Sequence, residues 1–187
     1  METQRLKLRQ WIASDRKPFS KLNADPQVME YFSDVLSDTE SNALADRIEF
    51  LINKNGWGFW AVELKASRAF IGFVGLHSPR VKLPFNPCVE IGWRLAKEHW
   101  GNGYATEATQ AALYYGFEHL KLDEIVSFTS VVNRPSQAVM RKIHMTNTNE
   151  NFMHPSIPEG NALEEHVLFK ITKADWGLTR RFQPSLE

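Results

Sequence analysis

One cysteine, Cys88, stands in 187 residues. No internal disulfide can form, and the chain suits a reducing compartment. No apolar run approaches the roughly 20 residues that span a bilayer. Nor does an apolar stretch follow Met1-Glu2-Thr3-Gln4-Arg5, as a signal peptide would require. A cytoplasmic protein without membrane contact is therefore expected. Charge of one sign is not in excess: 22 basic residues balance 22 acidic ones. Bulk charge gives no ground for nucleic-acid binding. No Gly-x-x-x-x-Gly-Lys-Ser/Thr run occurs, which argues against a P-loop nucleotide triphosphatase. The six histidines show no His-Glu-x-x-His spacing, so no metal is expected. Repeats, linkers and low-complexity segments are missing too. A single domain over residues 1–187 is expected, large enough to bury its own core.

The elements that are there change character along the chain. Residues 5–9, Arg-Leu-Lys-Leu-Arg, alternate as a half-buried strand does. Ser14-Asp15 suits the cap of a helix running to about Asn23, and Pro26 opens a second short helix over 28–32. Ser37-Asp38-Thr39-Glu40 is a capping box. Leu44, Ile48, Leu51 and Ile52 follow at helical spacing, and Asn55-Gly56 ends that helix. Strands are then predicted over 58–64, 69–76 and 88–95, the first two as a hairpin. A helix to about His119, a strand over 123–129, a helix over 134–143 and strands over 147–152 and 166–172 complete the pattern. The strand–helix–strand unit from 88 to 129 makes one parallel, right-handed crossover. The remaining pairings read as antiparallel. The fold class is α+β, or mixed α/β, with a twisted sheet of six to seven strands. The 12% aromatic content, twelve Phe and six Trp, reads first as core packing.

The segment Trp100-Gly101-Asn102-Gly103-Tyr104-Ala105-Thr106-Glu107-Ala108 carries the functional signal. Two glycines one residue apart allow a tight turn directly before a helix. A bare helix N-terminus offers unpaired N–H donors and partial positive charge, a seat for phosphate. A dinucleotide fingerprint would want glycine at position 106, where Thr106 stands, although Asp123 lies about where a ribose-binding acid belongs. Too little chain follows the turn for a doubly wound sheet.

The segment resembles motif A of the GNAT acetyltransferase superfamily, with Trp100 where Gln or Arg is usual. In this it is similar to the branch of ribosomal-protein-alanine and -serine N-acetyltransferases. Thr3-Gln4-Arg5-Leu6-Lys7-Leu8-Arg9 and Val89-Glu90-Ile91-Gly92-Trp93-Arg94-Leu95 agree with that branch. So do Asn133-Arg134-Pro135-Ser136, Met140-Arg141-Lys142-Ile143-His144-Met145 and Phe152-Met153-His154-Pro155. The family often has glycine where His144 stands. The resemblance covers about residues 1–176 and leaves 177–187 as a C-terminal tail. It implies a GNAT fold in which one parallel strand pair splays apart, acetyl-CoA as cosubstrate, and an amine acceptor, either a protein N-terminus or a small molecule. Backbone N–H groups of Gly101, Asn102, Gly103, Tyr104, Ala105 and Thr106, beside Trp100, would hold the pyrophosphate. The strand ending at Trp93–Leu95 would pair with the pantetheine arm, and Asn133 and Ser136 would touch the cofactor. A homodimer is compatible with the resemblance.

Acetyl transfer needs a neutral amine, yet an α-amine titrates at about 7.7–8.0 and a lysine near 10.4. A base must take a proton, an oxyanion needs N–H donors, and the departing thiolate benefits from a proton. Glu90 is the candidate base, an acid among the apolar strand residues Val89, Ile91 and Trp93. A surface position, or a hydrogen bond with Arg94, would explain it equally. Ser136 is the candidate donor near the sulfur, with an ordinary first-turn serine as the plainer alternative. Tyr104 and Tyr115 are further acids, more readily packing residues. Nothing near Cys88 would activate its thiol, so direct attack without a covalent enzyme intermediate is expected. His154-Pro155 lies where the branch approaches its acceptor, with an ordinary loop histidine as the plainer alternative. His166 follows Glu164-Glu165 in an edge or late strand, where either Glu would meet a cationic amine or simply be solvated. The loop 83–87, the segment 149–160 and the early helices are expected to shape acceptor access. The competing reading is a non-catalytic CoA-binding or interaction protein on the same fold.

Overall fold

The computed structural model describes residues 1–179. Helix α1 (Arg16–Asn23) and the long α2 (Asp38–Asn55) follow the first strand, β1 (Leu6–Arg9). Three strands come next: β2 (Phe59–Leu64), β3 (Phe70–His77) and β4 (Glu90–Leu95). Then α3 (Tyr104–Glu118), β5 (Glu124–Ser130) and α4 (Arg134–Lys142) alternate. The two-residue strands β6 (Thr146–Asn147) and β7 (Phe152–Met153) precede β8 (Glu165–Thr172) and α5 (Lys173–Thr179). All eight strands join one sheet in the order β1-β2-β3-β4-β5-β8-β6, with β7 also on β8. Every pair is antiparallel except β4 with β5. Mixed α/β architecture with one parallel crossover is thus the fold.

Local chemistry sets the boundaries. Ser37 Oγ accepts from Glu40 N–H at 3.3 Å while Glu40 Oε2 accepts from Ser37 N–H at 2.9 Å, the expected capping box of α2. Gly56, at φ +78°, stops that helix in the left-handed region. Three expectations fail. Residues 28–32 form turns rather than a helix. Asp15 stands at the N-cap of α1 but makes no side-chain capping bond, because its carboxylate turns to Arg9, whose two terminal nitrogens reach it at 2.7 and 2.9 Å. The strand expected over 147–152 breaks into β6 and β7, since Asn149 takes a left-handed φ of +60° between them. That break accounts for the eighth strand. Helix α5 occupies the start of the expected tail, and residues 180–187 of it lie outside the described residues.

Two layers of side chains clothe the sheet. Phe73 on β3 meets Phe19 of α1 at 6.0 Å and Trp11 at 6.5 Å, ring centre to ring centre, so aromatics fill the α1 side. On the opposite side α3 buries Ala108, Ala111, Ala112, Leu113 and Phe117. Its small residues let the helix lie close, and a Cβ built on Gly116 would come within 2.6 Å of Ile125 Cδ1. A charged network closes the β1 edge: Arg9 Nε also reaches Glu63 Oε2 at 2.7 Å.

His144 sits at φ +64°, the left-handed region that glycine adopts without strain. This gives a physical reason for the family's glycine there. Replacing exposed His144 by glycine should stabilise the fold by about 1 kcal/mol, read as a higher urea midpoint with unchanged slope.

Candidate active site

The parallel pair is barely a pair. Its only register partners are Glu90 and Val126. Val126 N–H donates to Val89 O at 3.0 Å and Ser127 Oγ donates to Ile91 O at 2.9 Å. Beyond these bonds β4 and β5 part. On its other edge β4 pairs fully with β3, from His77↔Glu90 to Gly72↔Leu95. Backbone groups alternate along a strand, so those of Glu90, Gly92 and Arg94 are spent on β3. The groups of Trp93 and the N–H of Leu95 then face the gap. Leu95 O is occupied, because Trp100 Nε1 folds back to donate to it at 2.8 Å.

A cleft of about 680 Å³ runs through this gap. At one end lies the glycine turn. Gly101 and Gly103 have φ of +76° and +80°, and no side chain caps α3. The first helical bond runs from Glu107 N–H to Gly103 O at 3.0 Å. The N–H groups of Tyr104, Ala105 and Thr106 are therefore spare donors at a positive helix end. The turn is held from behind. Arg5 Nε pairs with Glu107 at 2.7 Å, and Arg5 Nη1 donates to Asn102 O at 3.0 Å. The Arg5 guanidinium also lies 4.6 Å from the Tyr104 ring centre. Thr3 Oγ1 bonds the same Glu107 carboxylate. The N-terminal string and the turn string are thus two halves of one clip, which the sequence placed 102 residues apart.

At the other end stands Glu90. Although the residue is partly open to the cleft, burial pushes its carboxyl up to about 8. The alternative partner, Arg94, is engaged elsewhere. Its Nη1 donates to Asn23 Oδ1 of α1 at 2.6 Å, and its guanidinium stacks 4.1 Å from the centre of the Phe32 ring. Arg94 Nε has no hydrogen-bond partner among the described residues, and burial lowers this guanidinium to about 10. His77, directly across β3 from Glu90, lines the cleft as well. Burial first, then the charges of Arg47 and Arg80, press His77 down to about 4.

Of the residues singled out from sequence, Glu90, Trp93, Leu95, Trp100, Gly101, Gly103, Tyr104, Ala105, Thr106, Asn133 and Ser136 all line this one cleft. Asn102 does not: its side chain turns back to Trp100 O at 3.0 Å and His99 O at 3.3 Å. Asn133 is the N-cap of α4, accepting from Ser136 N–H at 3.1 Å and donating to Thr129 Oγ1 at 2.8 Å. Ser136 lines the cleft from the first turn of that helix. Tyr115 donates to Gly56 O at 3.4 Å, away from the cleft. Cys88 is half-buried, and burial, with Glu90 and Glu124 nearby, raises its thiol to about 11, far from an activated thiolate.

Three contributors were not found from sequence. Ser127 marks the root of the gap, and its signal was a hydroxyl set among Ile125, Val126 and Phe128. Arg5 and His77 carried no local signal, because their roles come from partners distant in the chain. The expected acceptor side is aromatic. Phe85 of the loop 83–87 meets Phe128 at 5.8 Å and Phe152 at 5.1 Å. The His154 and His166 rings lie 4.8 Å apart beside them, both lowered by burial.

A sheet opened at one parallel pair, with a bare helix end at the mouth of the gap, is a fold this chain shares with acetyltransferases. The chain belongs to the GNAT acetyltransferases: the family model described as an acetyltransferase (GNAT) domain matches residues 5–146. It is accordingly an acyltransferase enzyme. It is 30% identical over 177 residues to YnaD of Bacillus subtilis, named an uncharacterized N-acetyltransferase, covering 93% of this chain and 97% of that one. It is 29% identical over 194 residues to the FsC-acetyl coenzyme A-N(2)-transacetylase of Aspergillus fumigatus, covering all of this chain and 80% of that one. Among solved structures, a GNAT-family acetyltransferase from Bacillus anthracis superposes with a TM-score of 0.77 at 26% identity, covering 93% and 98% of the two chains. A spermidine N-acetyltransferase from Vibrio cholerae, solved with CoA and spermine, shares the fold at a TM-score of 0.72 and 21% identity, covering 93% and 99%.

Proposed function

We propose that this enzyme transfers an acetyl group from acetyl-CoA to a primary amine by direct attack, with Glu90 as general base. The observation that carries the reading is the cleft itself. It joins a bare helix end with spare N–H donors to the half-buried carboxyl of Glu90 along an open strand edge.

The residues present suit the cosubstrate. The spare N–H groups of Tyr104, Ala105 and Thr106 match a pyrophosphate, and the exposed edge of β4 at Trp93 matches an amide-bearing arm added as a strand. Bound there, acetyl-CoA supplies an activated thioester. Glu90 accepts the proton that the amine loses as its C–N bond forms and the C–S bond breaks. The N–H groups of β4 that face the gap stabilise charge on the carbonyl oxygen. Ser136, at the cleft wall on α4, gives its hydroxyl proton to the departing sulfur and regains one from solvent, to which Glu90 releases the proton it took. The half-buried Cys88, held as a thiol, takes no part.

Calorimetry should show acetyl-CoA binding to the purified protein at one site per chain, and amine-dependent thiol release should follow. Lack of binding rejects the proposal. Binding without thiol release across a broad panel of amines would instead favour the non-catalytic reading.

A further inference from the structure

A second cavity, of about 500 Å³, opens beside the Glu90 end of the cleft and shares Phe59 and His77 with it. Helix α2 lines it with Arg47, Leu51 and Lys54, spaced four and three apart and so on one helix face. The chain just past β3 adds Arg80. No Asp or Glu lines this cavity. Among the described residues, Arg47, Lys54 and Arg80 form no ion pair. The acids of the same stretch of α2, Asp46 and Glu49, serve Arg16 instead, each at 2.6 Å. The basic face is therefore left over by an arrangement that neutralises its neighbours. Its field reaches the cleft, since the charges of Arg47 and Arg80 bear on His77.

Three like charges around one concavity repel one another, and an anion relieves that repulsion. The anion is not the pyrophosphate. That group's seat is the glycine turn beyond Leu95, and Glu90 and Leu95 are five residue steps apart on β4, about 16 Å. The basic cavity lies at the far end, where His77 faces Glu90 across the β3–β4 ladder. An acid group there belongs to whatever brings its amine to Glu90.

We propose that the Arg47–Lys54–Arg80 cavity holds an acid group of the acceptor, so that this enzyme acts on primary amines carrying a carboxylate or phosphate. The inference rests on the acetyl-transfer reading above. The same charges repel polycationic amines, which gives selectivity by exclusion as well as attraction.

The test compares acceptors that differ only in charge. One pair is 4-aminobutyrate and 4-aminobutyramide; the other is the peptide amides Ser-Glu-Glu-Ala and Ser-Gln-Gln-Ala. The first pair reports small acceptors and the second protein N-termini. In at least one pair the acidic member should be favoured about tenfold or more in kcat/KM. The R47Q/R80Q double variant should erase that preference while leaving the KM for acetyl-CoA, set at the opposite end, within about twofold. Equal kcat/KM within both pairs, a preference that survives in the double variant, or spermidine outperforming the acids would overturn the inference. A titration of glutarate followed by calorimetry does not depend on turnover. Glutarate should bind the wild-type protein and fail to bind R47Q/R80Q, and absence of binding to wild type also overturns the inference. If glutarate binds as expected but no amine is acetylated, it is the transfer reading that falls, and the anion seat stands.

Discussion

Glu90→Gln should lower turnover about 100-fold or more while leaving the affinity for acetyl-CoA unchanged. The size follows from the role: an amine that stays protonated has no lone pair to attack with, and glutamine takes no proton. The selectivity of the effect follows from the layout, because the glycine turn at the other end of β4 keeps its donors. A pH profile separates this role from a structural one. Burial raises the Glu90 carboxyl to about 8, so the base form is scarce at pH 7 and grows as pH rises through that value. The wild-type kcat/KM should therefore climb with pH and level off above about 8, beyond whatever ionisation the amine itself contributes. The ratio of wild-type to Glu90→Gln rates isolates that limb. A ratio that is flat across the range, or a variant as fast as wild type, would falsify the assignment of Glu90.

Arg9→Ala carries the largest expected cost in stability, about 3–5 kcal/mol. Arg9 binds Asp15 through both terminal nitrogens and Glu63 through Nε. The Asp15 side chain is 2% exposed and that of Glu63 is 12% exposed. Alanine would leave the buried Asp15 carboxylate without its cation and Glu63 with only the exposed Arg68, 3.9 Å away. Urea denaturation should show a lower midpoint with little change in slope. The triple change Arg9→Ala, Asp15→Asn and Glu63→Gln should recover part of the loss, since it removes the uncompensated charges together. A loss below 1 kcal/mol would mean that water reaches the network and screens it.

The elements with a strong local code were readable from sequence. Ser37 and Glu40 form their box, Gly56 stops α2, and short apolar runs bounded by turns set β2, β3 and β4 within one or two positions. The parallel crossover and the cleft-lining residues followed from the glycine turn and its family resemblance. What stayed hidden depends on distant partners. Pro26 promised a helix over 28–32, but that segment forms turns, and its Phe32 lies under the Arg94 guanidinium. Asp15 suited a cap until Arg9 competed for it. The pairing of Arg5 with Glu107 and the seat of His77 opposite Glu90 arise only when strands and helices assemble. Asn102 shows the limit of a motif: two glycines fix where the turn is, not which way the residue between them points.

The bond from Ser127 Oγ to Ile91 O has a meaning beyond marking where two strands separate. It is the last fastening of a sheet that the chain leaves unzipped. Rungs that an ordinary parallel pair would supply from its own backbone are withheld, and β4 keeps the backbone N–H and C=O of Trp93 on an open edge. On the acetyl-transfer reading proposed above, an extended cosubstrate arm lying there would supply those rungs.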